Sequence, residues 1–240
     1  MVVRILGVSG SPRAKGATQL AVRTALEAAS ELPGVTTEFL DLRGKDIHYC
    51  IHCDKCLRQG TAHCVAFKDD MNEHVYESIL AADGLILGSP VYHMGTSPLT
   101  KLFMNRFRPL GRLFGQGHWS TKVGGAIAVG GVRNGGQETT LGEINNFFLA
   151  NGMVVVSGGI FAYNGGAVWS NDQKEKGALS DEVGLATVRV LGRRVAAIAG
   201  VLKAGREASR LPTSALLGCA DDDELQQRLH TFRRRSGEGE

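Results

Sequence analysis

The densest chemistry in the chain is a run of four cysteines, Cys50, Cys53, Cys56 and Cys64, in the pattern C-x2-C-x2-C-x7-C. Three thiolates at intervals of three can wrap one face of a cubane iron–sulfur cluster, and a fourth can close it. Tetrahedral zinc is the alternative, although four-cysteine zinc sites more often use two separated C-x2-C pairs. A disulfide is disfavoured: no charged, apolar leader opens the chain, and in a reducing compartment clustered cysteines bind metal or do redox chemistry. His48, His52 and His63 stand nearby as substitute ligands or as solvated loop histidines. Cys219 is isolated and reads as a plain thiol.

Three loops carry a second kind of chemistry. The first, Ser9-Gly10-Ser11-Pro12-Arg13-Ala14-Lys15-Gly16-Ala17-Thr18, leaves an apolar run and enters a helical pattern. The hydroxyls of Ser9, Ser11 and Thr18, the Arg13 guanidinium and the helix N-terminus can together hold a phosphate. It contains neither Gly-Lys-Ser/Thr nor Gly-x-Gly-x-x-Gly, so it is neither a Walker loop nor a dinucleotide fingerprint. The second, Gly88 to Pro98, offers Pro90 as a stiffener, Val91, and the flat side chains of Tyr92 and His93 for an aromatic ligand. The third, Gly130 to Thr139, has glycines at 130, 131, 135 and 136, which let backbone approach a ring closely. Each loop alone also reads plainly, as a polar turn, a half-buried tyrosine or a flexible connection. Together they suit a flat, phosphorylated ligand, with phosphate on Ser9, Ser11, Arg13 and Thr18. The ring would lie against the second and third loops. Flavin mononucleotide (FMN) fits that description better than a nucleoside triphosphate. N–H groups near Gly135 and Gly136 would stabilise a reduced, anionic flavin.

The elements that must position these loops alternate. Apolar runs at Val2–Val8, Thr36–Leu42, Gly84–Gly88, Lys122–Val129 and Met153–Ser157 read as strands. Helical spacing is expected over about 17–31, 70–81, 97–107, 137–150 and 181–204. Five strands separated by helices predict an α/β doubly wound parallel sheet in order 2-1-3-4-5, whose ligand lies beyond the carboxyl ends of the strands. All three loops leave that rim. The connection 43–68, which holds the cysteines, reads as an insertion after strand 2, on the same rim. The expected domain covers residues 1–204, with 205–240 as an extension holding one short helix and a disordered finish. Segment 158–180, with Phe161, Tyr163 and Trp169, is left between a substrate pocket and a subunit contact.

The motifs Val8-Ser9-Gly10-Ser11-Pro12-Arg13, Gly88-Ser89-Pro90-Val91-Tyr92 and the Gly130–Glu138 loop resemble the NADPH-dependent FMN reductase group of the flavodoxin-like superfamily. The resemblance spans roughly residues 1–160 and the helix near 181–204. It implies a flavodoxin-like fold, with the FMN phosphate held by Ser9, Ser11, Arg13 and Thr18 and the ring flanked by Pro90, Val91, Tyr92 and His93 and by the stretch from Gly131 through Gly135 and Gly136 to Gln137. The family often has Asn where this chain has Ala17, which implies weaker flavin affinity. The cysteine run resembles the iron–sulfur flavoproteins of the same family, which implies a [4Fe–4S] cluster on Cys50, Cys53, Cys56 and Cys64. The resemblance further implies an FMN-dependent oxidoreductase that takes electrons from NAD(P)H or ferredoxin and passes them to a small acceptor. A cluster-free NAD(P)H-dependent FMN or quinone reductase and a non-catalytic electron carrier are the competing readings. Strand 2 lies at the sheet edge, so a homodimer or homotetramer would bring cluster and flavin of neighbouring subunits together.

Composition narrows the field. Of 240 residues 43% are hydrophobic and 21% charged, which suits a globular protein with a core. The net charge of +3 is too small and dispersed for a nucleic-acid partner, and the run Arg233–Arg235 reads as a solvated tail. No stretch of about 20 apolar residues exists to span a membrane. A cytoplasmic location is expected.

Overall fold

The computed structural model describes residues 1–160 and 162–235. Phe161 and the Gly/Glu end at 236–240, expected to finish the chain in disorder, lie outside the described residues. Five parallel positions form the sheet, in order β2 (Val35–Asp41), β1 (Val3–Ser9), β3 (Gly84–Tyr92), β5 (Val123–Gly130) and β6 (Val154–Val155). A two-residue strand β4 (Gly95–Thr96) turns back antiparallel on β3. The central strands are buried on both faces, as near-continuous apolar runs require. β2 is the edge strand, and Thr36, Thr37 and Glu38 on it are exposed.

Helices cover both faces. α1 (Ala17–Ser30) buries Ala21, Val22, Ala25 and Leu26, the 3–4 spacing of one helical face. It packs with the long α7 (Glu182–Ala208) against Ile5, Ile86 and Ile127. The opposite core joins Leu6, Val8, Leu85 and Leu87 to Phe103, Ile144 and Phe148. There the layer is α3 (Tyr76–Ala81), α4 (Pro98–Asn105) and α5 (Gln137–Ala150).

Four departures from the expected elements matter. The helix expected over 70–81 starts as a π-helical turn, Met71–Val75, before α3. The helix expected to 107 stops at Asn105, and a 3-10 segment, Arg108–Gln116, follows. The fifth strand position is split. β6 pairs with Val123 and Gly124, whereas β7 (Gly166–Trp169) pairs with Ile127–Gly130 farther along the same strand. Gly159 (φ +86°) and Gly165 (φ +140°) turn the chain out between them, so Met153–Ser157 cannot continue as one strand. Finally, residues beyond 204 are not separate from the rest: α7 runs on to Ala208, and α8 (Thr213–Leu216) and α9 (Asp222–Arg235) follow. Thr213 and Leu229 pack beside Gly117 and Gly115, at the end of the 3-10 segment. Two further short helices are α2 (Lys55–Arg58) and α6 (Lys174–Leu179).

Candidate functional site

The first loop is built by its own hydroxyls. Ser9, at the end of β1, is fully buried, and its Oγ accepts from the Ser11 N–H at 3.5 Å. Ser11 Oγ in turn accepts from the Arg13 N–H at 3.2 Å. The N-cap of α1 is Gly16, which has no side chain with which to satisfy the helix's first N–H groups. That leaves them directed at the space in front of the helix, with its positive dipole end. The loop is anchored from behind: Gly10 N–H donates to Gly88 O at 2.8 Å, and Ser97 Oγ donates to Gly10 O at 2.6 Å. Ser97 also caps α4, accepting from Thr100 N–H at 3.1 Å. Thr100 Oγ1 donates to Ser89 Oγ at 3.0 Å. A buried hydroxyl network therefore ties the first two loops into one unit.

The second loop is a hairpin between β3 and β4. Its two turn residues, His93 (φ +48°) and Met94 (φ +64°), both take the left-handed conformation of a tight reversal. Neither is the Gly or Asn such a turn favours, so the turn holds local strain of the kind found at ligand sites. Thr139 Oγ1 donates to Met94 O, and Glu143 accepts from Thr96 N–H and Lys101 Nζ, each at 2.8 Å. Burial alone would raise the Glu143 carboxyl. Lys101 and Thr96 hold it below its ordinary value instead.

The third loop is folded by Gln137, whose Oε1 accepts from Gly135 N–H at 2.9 Å and whose Nε2 donates to Val132 O at 2.8 Å. Gly136 has φ +97°, and a Cβ there would stand 2.7 Å from Met94 Cα. A Cβ on Gly131 would come 2.4 Å from Asp172 Oδ1. Glycine is therefore required at Gly136, where the neighbouring backbone approaches and φ is positive, whereas at Gly131 the obstacle is the end of the Asp172 side chain.

These loops enclose a cavity of about 330 Å³ beyond the carboxyl ends of β1, β3 and β5. Ser11, Arg13, Thr18, Pro90, Val91, Tyr92, His93 and Gly131 all line it. Ser9, Gly135, Gly136 and Gln137 do not. The first supports Ser11 from inside the sheet, and the other three shape the third loop and brace the His93–Met94 turn. Sequence reasoning missed Ser170, Asp172 and Lys174, which complete the wall. They follow β7, and Asn171, Asp172 and Lys174 all have positive φ. Ser170 Oγ donates to Gly130 O at 3.1 Å and Trp169 Nε1 to Gly131 O at 3.0 Å, locking this segment to the third loop. Asn171-Asp172 was the one turn signal available for it. The cavity wall thus carries the cations Arg13 and Lys174 and the Asp172 carboxylate, with Pro90, Val91, Tyr92 and Val129 as apolar surface. Phosphate and a flat ring both find matching chemistry.

Cys50, Cys53, Cys56 and Cys64 line a second, much smaller cavity of about 20 Å³, beside Arg106, Arg108 and Pro109. All four are free thiols. Burial pushes the Cys56 thiol up, and Cys64 and Cys50 add to this, as neighbours that share one space must. Yet among the described residues no three His, Cys, Asp or Glu side chains stand in metal-holding geometry. The donor set suits a soft metal centre; the cavity holds little more than one water at this size. His52 and Asp54 both have φ +54°, so the chain turns sharply between the cysteines.

Known proteins place this architecture. The family model of NADPH-dependent FMN reductases matches residues 3–167. The chain belongs to the NADPH-dependent FMN reductase family. It is an FMN-dependent oxidoreductase with a flavodoxin-like α/β sheet. The chain is 42% identical over 203 residues to an iron-sulfur flavoprotein of Methanocaldococcus jannaschii, covering 84% of this chain and 100% of that one. It is 34% identical over 207 residues to an iron-sulfur flavoprotein of Methanosarcina thermophila, covering 85% and 100%. Among solved structures, RosB with bound 8-demethyl-8-formylriboflavin-5'-phosphate superposes with a TM-score of 0.66 at 14% identity, covering 98% of this chain and 88% of RosB. No helix among the described residues is long and apolar enough to cross a membrane.

Proposed function

We propose that this chain is an iron–sulfur flavoprotein that moves electrons from NAD(P)H or ferredoxin to a small acceptor. The observation that carries the flavin half is the cavity itself, large enough for a cofactor and lined by all three loops. The phosphate would sit before the Gly16 end of α1, against Ser11, Thr18, Arg13 and Lys174. The ring would lie between Pro90–His93 and Gly131. FMN, when bound, supplies the conversion between one- and two-electron transfer. The protein's own work is to hold, orient and shield it. Tyr92 and Val129 give it apolar wall, and the hydroxyl network behind Gly10 braces the first loop.

Four cysteines around one space, and two relatives named as iron-sulfur flavoproteins, support a [4Fe–4S] cluster. Four thiolates around such a cluster make an anionic group, which Arg106 and Arg108 in the cavity wall would offset. The cluster exchanges single electrons when bound. A homodimer or homotetramer would supply the short cluster-to-flavin path, and Ile160, Tyr163 and Val183 remain as exposed apolar residues for such a contact.

A second reading, a reductase with no cluster, is favoured by the lack of ligating geometry among the described cysteines. Anaerobic purification with an absorption spectrum and iron and sulfide analysis separates the two. Flavin bands with a broad shoulder and about four irons per chain are expected. Flavin bands alone, with rapid NAD(P)H oxidation, would replace the first reading by the second.

A further inference from the structure

The cysteine-bearing stretch has almost no regular structure, so something outside it must hold its ends. A buried ion pair, with Asn72 beside it, does so. Arg106, just past the end of α4, and Asp69, just before the π-helical turn, have side chains 1% and 0% exposed. They face each other in a two-pronged arrangement: Arg106 Nη2 donates to Asp69 Oδ1 at 3.1 Å, and Nη1 donates to Oδ2. The same Nη1 donates to His48 O at 2.7 Å, and Asp69 Oδ2 accepts from His48 N–H at 3.1 Å. Both backbone groups of the residue two before Cys50 are thus fixed by this pair. On the other flank, His48 stacks on Phe67 at 4.8 Å, three residues past Cys64, and the Arg106 guanidinium lies 5.6 Å from the same ring. Asn72 completes that flank by accepting from Cys64 N–H at 3.0 Å and donating to Cys64 O at 2.7 Å. Tyr76 Oη holds the Arg106 carbonyl at 2.8 Å, so the arginine is itself pinned from behind. Arg106 also forms part of the wall of the cysteine cavity.

A buried charge pair is not needed for stability as such, because an apolar pair of similar volume often serves as well or better. This one touches both ends of the four-cysteine stretch and the cavity the cysteines line. We propose that Arg106, oriented by Asp69, is the positioning residue of the cysteine site: it anchors the stretch at His48, two residues before Cys50, and against Phe67, three residues past Cys64, and it sets the positive end of the ion pair in the wall of the cavity the thiols line. The inference rests on the cluster reading above. Lysine cannot replace it fully, since one ammonium cannot span Asp69 and His48 O with the same planar fork. Because Arg106 lines the cavity and Asp69 does not, the pair acts as a dipole with its positive end nearer the thiolates, which favours the more negative, reduced form of an anionic centre and so raises its potential.

The test uses the full-length chain, reconstituted anaerobically with FMN, iron and sulfide, as wild type, Arg106→Lys and the double variant Arg106→Met/Asp69→Leu. The double variant replaces both charges by apolar groups and leaves neither partner stranded. Iron release to a chelator, the midpoint potential of the iron signal, FMN content and thermal unfolding are measured on each. The double variant should keep FMN and cooperative unfolding, release iron about tenfold faster, and show a lower midpoint potential. Arg106→Lys should restore the potential more than the release rate. A folded double variant with wild-type release and potential overturns the inference. If the double variant loses FMN or cooperative unfolding, Arg106→Lys decides: wild-type release in that variant overturns it, and faster release supports it. A wild-type chain that takes up no iron overturns this inference together with the cluster reading, whereas a loaded wild type with unaltered variants sinks this inference alone.

Discussion

Arg13 and Lys174 are the two cations in the wall of the large cavity, and they come from opposite ends of the domain sequence. If both meet a phosphate, each forms a charge-assisted hydrogen bond worth about 1.5–3 kcal/mol. Arg13→Ala and Lys174→Ala should each weaken FMN binding by about ten- to a hundredfold. Riboflavin, which has the ring but no phosphate, should bind both variants as it binds the wild type. Fluorescence titration with the two flavins checks this, and equal losses for both would move the phosphate elsewhere. Gly136 acts differently from what its place in a glycine-rich loop predicts. It does not line the cavity; it lets the third loop lie against Met94. Gly136→Val should cost about 1–2 kcal/mol for the left-handed backbone alone and displace the His93–Met94 turn. A lowered Tm together with weakened FMN binding is expected, and an unchanged Tm would contradict the packing described.

At the scale of elements, what was legible in the sequence was local. A strand running into a Ser/Gly/Pro loop and then a helix announces itself, and it does so three times on one rim. The split fifth strand was not legible. Its second half, Gly166–Trp169, is four residues long, and its partner half-strand supplied the apolar run that reads as the whole strand. Ser170, Asp172 and Lys174 were lost with it, since a short strand flanked by turns reads as loop. The Arg106–Asp69 pair was equally hidden: 37 residues separate the partners, and only tertiary folding shows that each faces the other. The C-terminal helices were read as an appendage because their pattern is weakly apolar. In the fold, Leu225 is buried and Leu229 lies over Gly115. The 3-10 segment beneath them supplies Arg108 and Pro109 to the cysteine cavity, and Arg108 Nε donates to Asp54 Oδ1 at 2.8 Å. Truncation after Ala208 should therefore lower Tm and speed alkylation of Cys50 and Cys53, with FMN affinity nearly unchanged. Wild-type alkylation rates in the truncated chain would show that the helices do not brace the cysteine stretch.

Over the whole molecule, acid stability should bear the mark of one histidine. Burial, with a smaller effect from Lys122, pushes His118 down to about 4, and its Nε2 has no hydrogen-bond partner. Its folded pKa lies below the unfolded value near 6.5, so the unfolded chain takes up the proton first. Stability is then lost as pH falls from about 6.5 to about 4, and this group contributes no further loss below that. Partial exposure limits the effect to roughly 1–3 kcal/mol. His118→Phe, which keeps an edge-to-face ring on Trp119, should flatten urea-unfolding free energies across that window. A variant with the wild-type slope would assign the acid sensitivity to other groups.

The proposed flavin site is one cavity, closed by three loops and by the segment after β7. A crystal structure of the chain grown with FMN tests it most directly. The phosphate is expected within hydrogen-bond reach of Ser11, Thr18 and Arg13, and the ring between Tyr92 and Gly131. A flavin bound anywhere else, or this cavity filled only by solvent at saturating FMN, would contradict it.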